Sequence, residues 1–203
     1  MKIFGIDPGS DRTGYGCVET DGSRHRIVTC GAIRTPALAA FPDKLLEIHT
    51  QLGALIRECR PDAVAIENLF HAVNVRSALK LGHARGVAML AAVEAAVPVF
   101  EYTPAEIKRA VVGYGRAEKA QVQQMVKLLL SLPSVPSPHD AADALAVAIC
   151  HVHASAFPPS PASAASPLPP SRDASADRHS LGDGGRRGRL PRGATSWRAY
   201  KPV

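Results

Sequence analysis

Cysteine is sparse here and never paired in sequence: the 4 thiols, Cys17, Cys30, Cys59 and Cys150, lie far apart, with no CxxC spacing. That distribution excludes a zinc module and reads as reduced, packed side chains in a cytosolic protein. No apolar run approaches the length of a bilayer span, and the N-terminal MKIFGIDPGS has no signal-type apolar region. A cytoplasmic protein without membrane contact is therefore expected. The sequence also has no GxxxxGK[ST] segment, which removes a P-loop, and no legible Ser-His-Asp or Cys-His arrangement. Large apolar side chains become scarce from Ala154 onward, where the remaining residues hold 8 of the 17 prolines. A segment of that composition buries too little surface to offset its conformational entropy, so 154–203 reads as a disordered Pro/Ala/Ser/Arg-rich tail.

What is present lies mostly in residues 1–153, which suffice for one hydrophobic interior. These carry sixteen Lys+Arg against fifteen Asp+Glu, whereas the tail carries eight against three, so most of the net charge of +6 belongs to the tail. Its GRRGRLPRG stretch either attracts nucleic-acid phosphate or is simply solvated.

KIFGID reads as a short buried strand ending in Asp7, followed by the turn-rich PGSDRTG. YGCVET and RHRIVTCGAIRT read as two further strands of a meander. Leu45, Ile48, Leu52, Leu55 and Ile56 recur at helical spacing across 41–60, and Pro61 stops that helix. DAVAIE is another buried strand, ending in Glu67. A long helix over 75–96, a strand in PVFEYTP, helices in PAEIKRAVV and KAQVQQMVKLLLS flanking GYGRAE, and a last helix over 140–153 complete the order. The alternation predicts an α/β fold, a mixed sheet covered by helices. Functional groups in such folds gather at the carboxyl ends of parallel strands, where Asp7 and Glu67 both fall.

The last helix opens HDAADALAVAICH, with Asp140 and Asp143 three apart on one face. Helix capping explains one such acid, because carboxylates favour the first turn. Four acids at the ends of apolar elements are harder to explain that way, since buried carboxylates are costly without compensation. Hard oxygen ligands in that number suit a divalent cation such as Mg²⁺, and two ions would support in-line attack on a phosphodiester.

IDPGSDRTGYG, AIENLFHAVNVRSALKLGHARGVAMLAA, VVGYGRAEKAQVQQMV and HDAADALAVAICH together resemble the RuvC family of bacterial Holliday junction resolvases, over essentially all of 1–153. The resemblance implies a ribonuclease-H-like fold with a mixed five-stranded sheet and helices on both faces. It implies a homodimeric endonuclease that resolves four-way DNA junctions by paired nicks in opposed strands, leaving 5′-phosphate and 3′-hydroxyl ends, in recombination and repair. Asp7, Glu67, Asp140 and Asp143 then fall on the family's catalytic acids, with one or two Mg²⁺ or Mn²⁺ ions per site. Lys108 and Lys119 match lysines that contact phosphate or the active site. Phe70 matches an aromatic that stacks at the opened junction, although an aromatic anchoring its own loop is the ordinary alternative. Arg76, Lys80 and Arg116 are further expected DNA contacts. His139 either assists a metal or water or is a surface histidine. A branch-migration complex of RuvA-RuvB type is the expected partner.

In the 75–96 helix, Leu79, Gly82, Gly86, Met89, Leu90 and Val93 form an apolar stripe that suits either core packing or a two-fold interface. Two other functions compete. DPGSDRTG loosely resembles the phosphate loop of actin-like and sugar-kinase ATPases, which need a second domain that 150 residues do not supply. A non-catalytic junction-binding module would make the four acids dispensable.

Overall fold

The computed structural model describes residues 1–68 and 74–156. Phe70 and the tail from residue 157 onward therefore lie outside the described residues.

Five strands form one sheet: β1 (Lys2–Asp7), β2 (Arg12–Thr20), β3 (His25–Arg34), β4 (Ala63–Glu67) and β5 (Val99–Tyr102). Their order across the sheet is β3-β2-β1-β4-β5. β2 runs antiparallel to both β1 and β3, while β4 runs parallel to β1 and β5 to β4. The mixed five-stranded sheet with helices on both faces is the ribonuclease-H-like arrangement expected from the sequence.

The period-2 alternation of strands decides what each face buries. Phe4, Ile6, Cys17, Ile33, Val64 and Ile66 face α1 (Phe41–Cys59) and α2 (Val75–Glu94). Ile3, Val18, Ala63 and Ala65 face the other layer, α3 (Pro104–Val112), α4 (Lys119–Leu129) and α5 (His139–Ala156). β1 is buried on both faces because it is central.

α5 is almost wholly buried and rich in alanine, so it can lie close against the sheet. Glycines on the strands beneath it make that approach possible. A Cβ on Gly5 would stand 2.0 Å from the Ala144 carbonyl oxygen, and one on Gly14 would stand 2.1 Å from that of Asp140. This contact brings the head of α5 to the carboxyl end of β1.

Several boundaries differ from the sequence expectation. β2 begins at Arg12, before YGCVET, because Arg12, Thr13 and Gly14 pair with β3 and Gly14 also pairs with Asp7. Glycine had interrupted the apolar alternation there. α1 ends at Cys59, with Arg60 left-handed at φ 48° and its N–H donated to the Ile56 carbonyl, so the stop precedes Pro61 by two residues. α5 continues to Ala156, past 153.

α2 buries only the narrow stripe Ala84, Ala88, Ala91 and Ala92. Leu79, Leu90 and Val93 remain 59%, 49% and 64% exposed, and a side chain at Gly82 or Gly86 would meet nothing. Packing within the described residues therefore leaves most of that stripe uncovered, Met89 being the partly buried exception.

Candidate active site

Asp7 and Glu67 are the last residues of β1 and β4, one step beyond the paired Ile6 and Ile66. Counting back by two from each reaches Gly5 and Ala65, so both carboxylates project toward the α5 layer. The head of α5 adds Asp140 and Asp143 from the same layer, on adjacent turns. Asp7, Glu67 and Asp143 line one open cleft with Lys108, Lys119 and Ile107. Asp140 lies at its margin, near enough to raise the proton affinity of Asp7.

Charge dominates this cleft. Burial, then the charges of Glu67 and Asp143, push the Asp7 carboxyl up from its ordinary value of 3.8 to about 8, against the lowering effect of Lys119. Burial and Asp143 also raise Glu67, while a hydrogen bond with Asp7 opposes the rise. Asp7 and Glu67 thus share a tendency to hold a proton that solvated carboxylates lack.

Lys119 answers the acids from α4. Its Nζ stands 2.5 Å from Asp143 Oδ2, and that hydrogen bond is the main reason its own proton is held more tightly. A lysine as first residue of a helix runs against the helix dipole. The contact with Asp143 offsets that cost. Lys108 reaches the same cleft from α3, whose start is set by a capping box between Thr103 and Glu106.

The loop after Asp7 is clasped by side chains that sequence reading passed over. Thr13 Oγ1 donates to the Gly9 carbonyl at 2.7 Å, Thr35 Oγ1 donates to the Ser10 carbonyl at 3.0 Å, and Lys44 Nζ donates to Asp11 Oδ1 at 2.7 Å. Lys44 is only 9% exposed although it sits on a surface helix. These polar residues interrupt otherwise ordinary strand and helix patterns; only their tertiary partners reveal a positioning role.

The remaining expected residues are dispersed. Arg76 and Lys80 are exposed on α2, on the opposite side of the sheet, with Lys80 5.9 Å from the Phe41 ring centroid. Arg116 is exposed between α3 and α4, and His139 is exposed as the first residue of α5. None of these four lines the acidic cleft.

Asp7, Glu67 and Asp143, with Asp140 at the margin, are oxygen donors whose mutual repulsion, felt most at Asp7, a divalent cation would relieve. The residues fit such an ion in kind and in charge. As they stand, no three His, Cys, Asp or Glu side chains among the described residues are grouped at metal-ligand spacing. Lys119 supplies the local counter-charge instead.

A family model described as "Crossover junction endodeoxyribonuclease RuvC" matches residues 3–151. The protein of that description from Ruminiclostridium cellulolyticum is 55% identical over 151 residues, covering 74% of this chain and 91% of the relative. The solved structure of Thermus thermophilus RuvC superposes with a TM-score of 0.72 at 35% identity, covering 76% of this chain and 95% of that one. A second Thermus thermophilus structure, RuvC in complex with a Holliday junction substrate, gives a TM-score of 0.71 at 33% identity, with the same coverage of 76% and 95%.

Proposed function

Because this chain belongs to the RuvC family, we infer that it is a crossover junction endodeoxyribonuclease that resolves four-way DNA junctions in recombination and repair. The observation that carries the reading is the convergence of Asp7, Glu67, Asp140 and Asp143 beside Lys119 at one end of the sheet. Neither competing function is favoured: the family is a nuclease family, and a binding module would have no use for repelling acids gathered at its DNA face.

Asp7, Glu67, Asp140 and Asp143 would hold one or two Mg²⁺ or Mn²⁺ ions. When bound, such ions activate a water and stabilise the leaving 3′ oxygen, giving 5′-phosphate and 3′-hydroxyl ends. Lys119 and Lys108 hold the phosphate against the acids, Lys119 by turning from Asp143 toward the anion. Phe70, three residues after Glu67 in the chain, would stack on an unpaired base. Arg76, Lys80 and Arg116 steer DNA arms, and His139, exposed at the head of α5, either assists a metal or water or is a surface histidine.

The uncovered face of α2 supports a homodimer, in which two clefts meet two symmetric strands. Membership of the family supports a branch-migration partner of RuvA-RuvB type. We read 1–153 as the nuclease domain and 154–203 as the tail, with α5 running three residues past that boundary, to Ala156. A cytoplasmic location is supported by the four free cysteines, of which burial pushes Cys17 and Cys150 up to about 12. No described helix is long and apolar enough to cross a membrane.

A synthetic four-way junction incubated with Mg²⁺, Mn²⁺ or EDTA tests the central reading. Symmetric nicks with either ion and none in EDTA are expected; cleavage that persists in EDTA would overturn it.

A further inference from the structure

The β2–β3 ladder carries charge in two different ways at its two ends. Away from the cleft, Glu19 pairs in register with Arg26, and the two form an ion pair. At the cleft end, Arg12 pairs in register with Arg34, so two arginines stand opposite each other on one face of the sheet. Like charges opposed across an antiparallel pair are destabilising. Neither arginine forms an ion pair among the described residues. Asp11, the acid next to Arg12 in sequence, is already bonded to Lys44. Both arginines are exposed.

Register fixes where they point. Asp7 pairs with Gly14, and Gly14 faces the carbonyl oxygen of Asp140, so this is the α5 face of the sheet. Arg12 precedes Gly14 by two residues and therefore shares its face, and its partner Arg34 does too. Arg12 and Arg34 thus stand on the α5 face at the β3 side of the sheet, while Lys108 and Lys119 line the cleft from α3 and α4. The acids sit between two basic wings.

We propose that Arg12 and Arg34 form a phosphate clamp that takes backbone phosphates of the junction arm leaving the cleft on the β3 side. The clamp rests on the junction-resolving reading and adds to it a second anchoring point, opposite Lys119. Guanidinium suits the role because its fork holds phosphate oxygens bidentately. Phosphate contacts of this kind fix the position of the duplex and carry no sequence preference.

The test measures binding of the full-length chain to a fluorescent four-way junction and to a duplex in EDTA, across a salt series. Each phosphate neutralised contributes about −0.9 to the slope of log affinity against log salt. The R12A/R34A variant should flatten that slope by about 1–2 and weaken binding about tenfold or more at 0.1 M salt. R12K/R34K should keep most of the slope, since charge is retained. The thermal midpoint of R12A/R34A at low salt should equal or exceed that of the wild type, because a repulsion has been removed. If the double variant does not fold, R34A alone, on an edge strand, should flatten the slope by about 0.9. An unchanged slope and affinity would overturn the clamp, as would equal losses of salt slope in the alanine and lysine variants. A wild type that binds junction no better than duplex would instead count against the junction reading, and the duplex slopes would still decide the clamp.

Discussion

Asp7 meets most of the electrostatic strain of the cleft, because it is buried and three other carboxylates bear on it. Its folded-state pKa, about 8, lies above the 3.8 of a solvated aspartate in the unfolded chain. Between those values the folded chain holds a proton that the unfolded chain has released, so stability without metal falls as pH rises from about 4 to about 8. Asp7→Asn should flatten that fall, stabilising the metal-free protein at pH 8 by on the order of 2 kcal/mol. It should also abolish cleavage while leaving junction binding largely intact. Thermal melts at pH 5 and pH 8, together with cleavage and gel-shift assays, check both halves; wild-type turnover by the variant would sink the mechanism. Lys119→Ala should act differently, lowering cleavage by tenfold or more and junction affinity by only a few-fold, since one phosphate contact is a small part of binding. Equal losses in both would move Lys119 from the scissile phosphate to the rim.

At the level of elements, the site depends on how closely α5 lies on β1 and β2. That distance is set by backbone facing backbone, so even a methyl group is too large. Gly5→Ala should force its Cβ against the Ala144 carbonyl oxygen and destabilise the fold by about 3 kcal/mol, visible as a lower urea midpoint. Cleavage should fall in the surviving folded fraction, because Asp140 and Asp143 move with the helix. A Gly5→Ala protein as stable and active as the wild type would mean that α5 has room to shift without cost. The strand ends, the helix order and the pair of aspartates were legible as periodicity followed by punctuation. The start of β2 was not, because Gly14 and Gly16 have no side chain to register in an alternating pattern.

For the whole molecule, the question is which surfaces are used. Exposed Leu79, Leu90 and Val93 run along α2 on the opposite side of the sheet from the acids. A Leu79→Glu, Leu90→Glu variant should place charge on that face and shift the protein to monomer in analytical ultracentrifugation. Paired nicking would then give way to single nicks. A wild type that is itself monomeric would overturn the proposed dimer, and a variant that dimerises as the wild type does would place the interface elsewhere.

By itself the sequence determined the α/β layout, the acidic quartet and the family, because each is written in local spacing: apolar runs, what ends them, and ordered motif blocks. Tertiary structure alone decided that Lys119 rests on Asp143, that Lys44 clasps the loop behind Asp7, that Arg12 faces Arg34, and that α2 keeps an apolar face open. Those facts depend on strand register and on how helices cross the sheet. Residues far apart in the chain acquire a shared electrostatic environment only when backbone pairing and close packing bring them within a few ångströms.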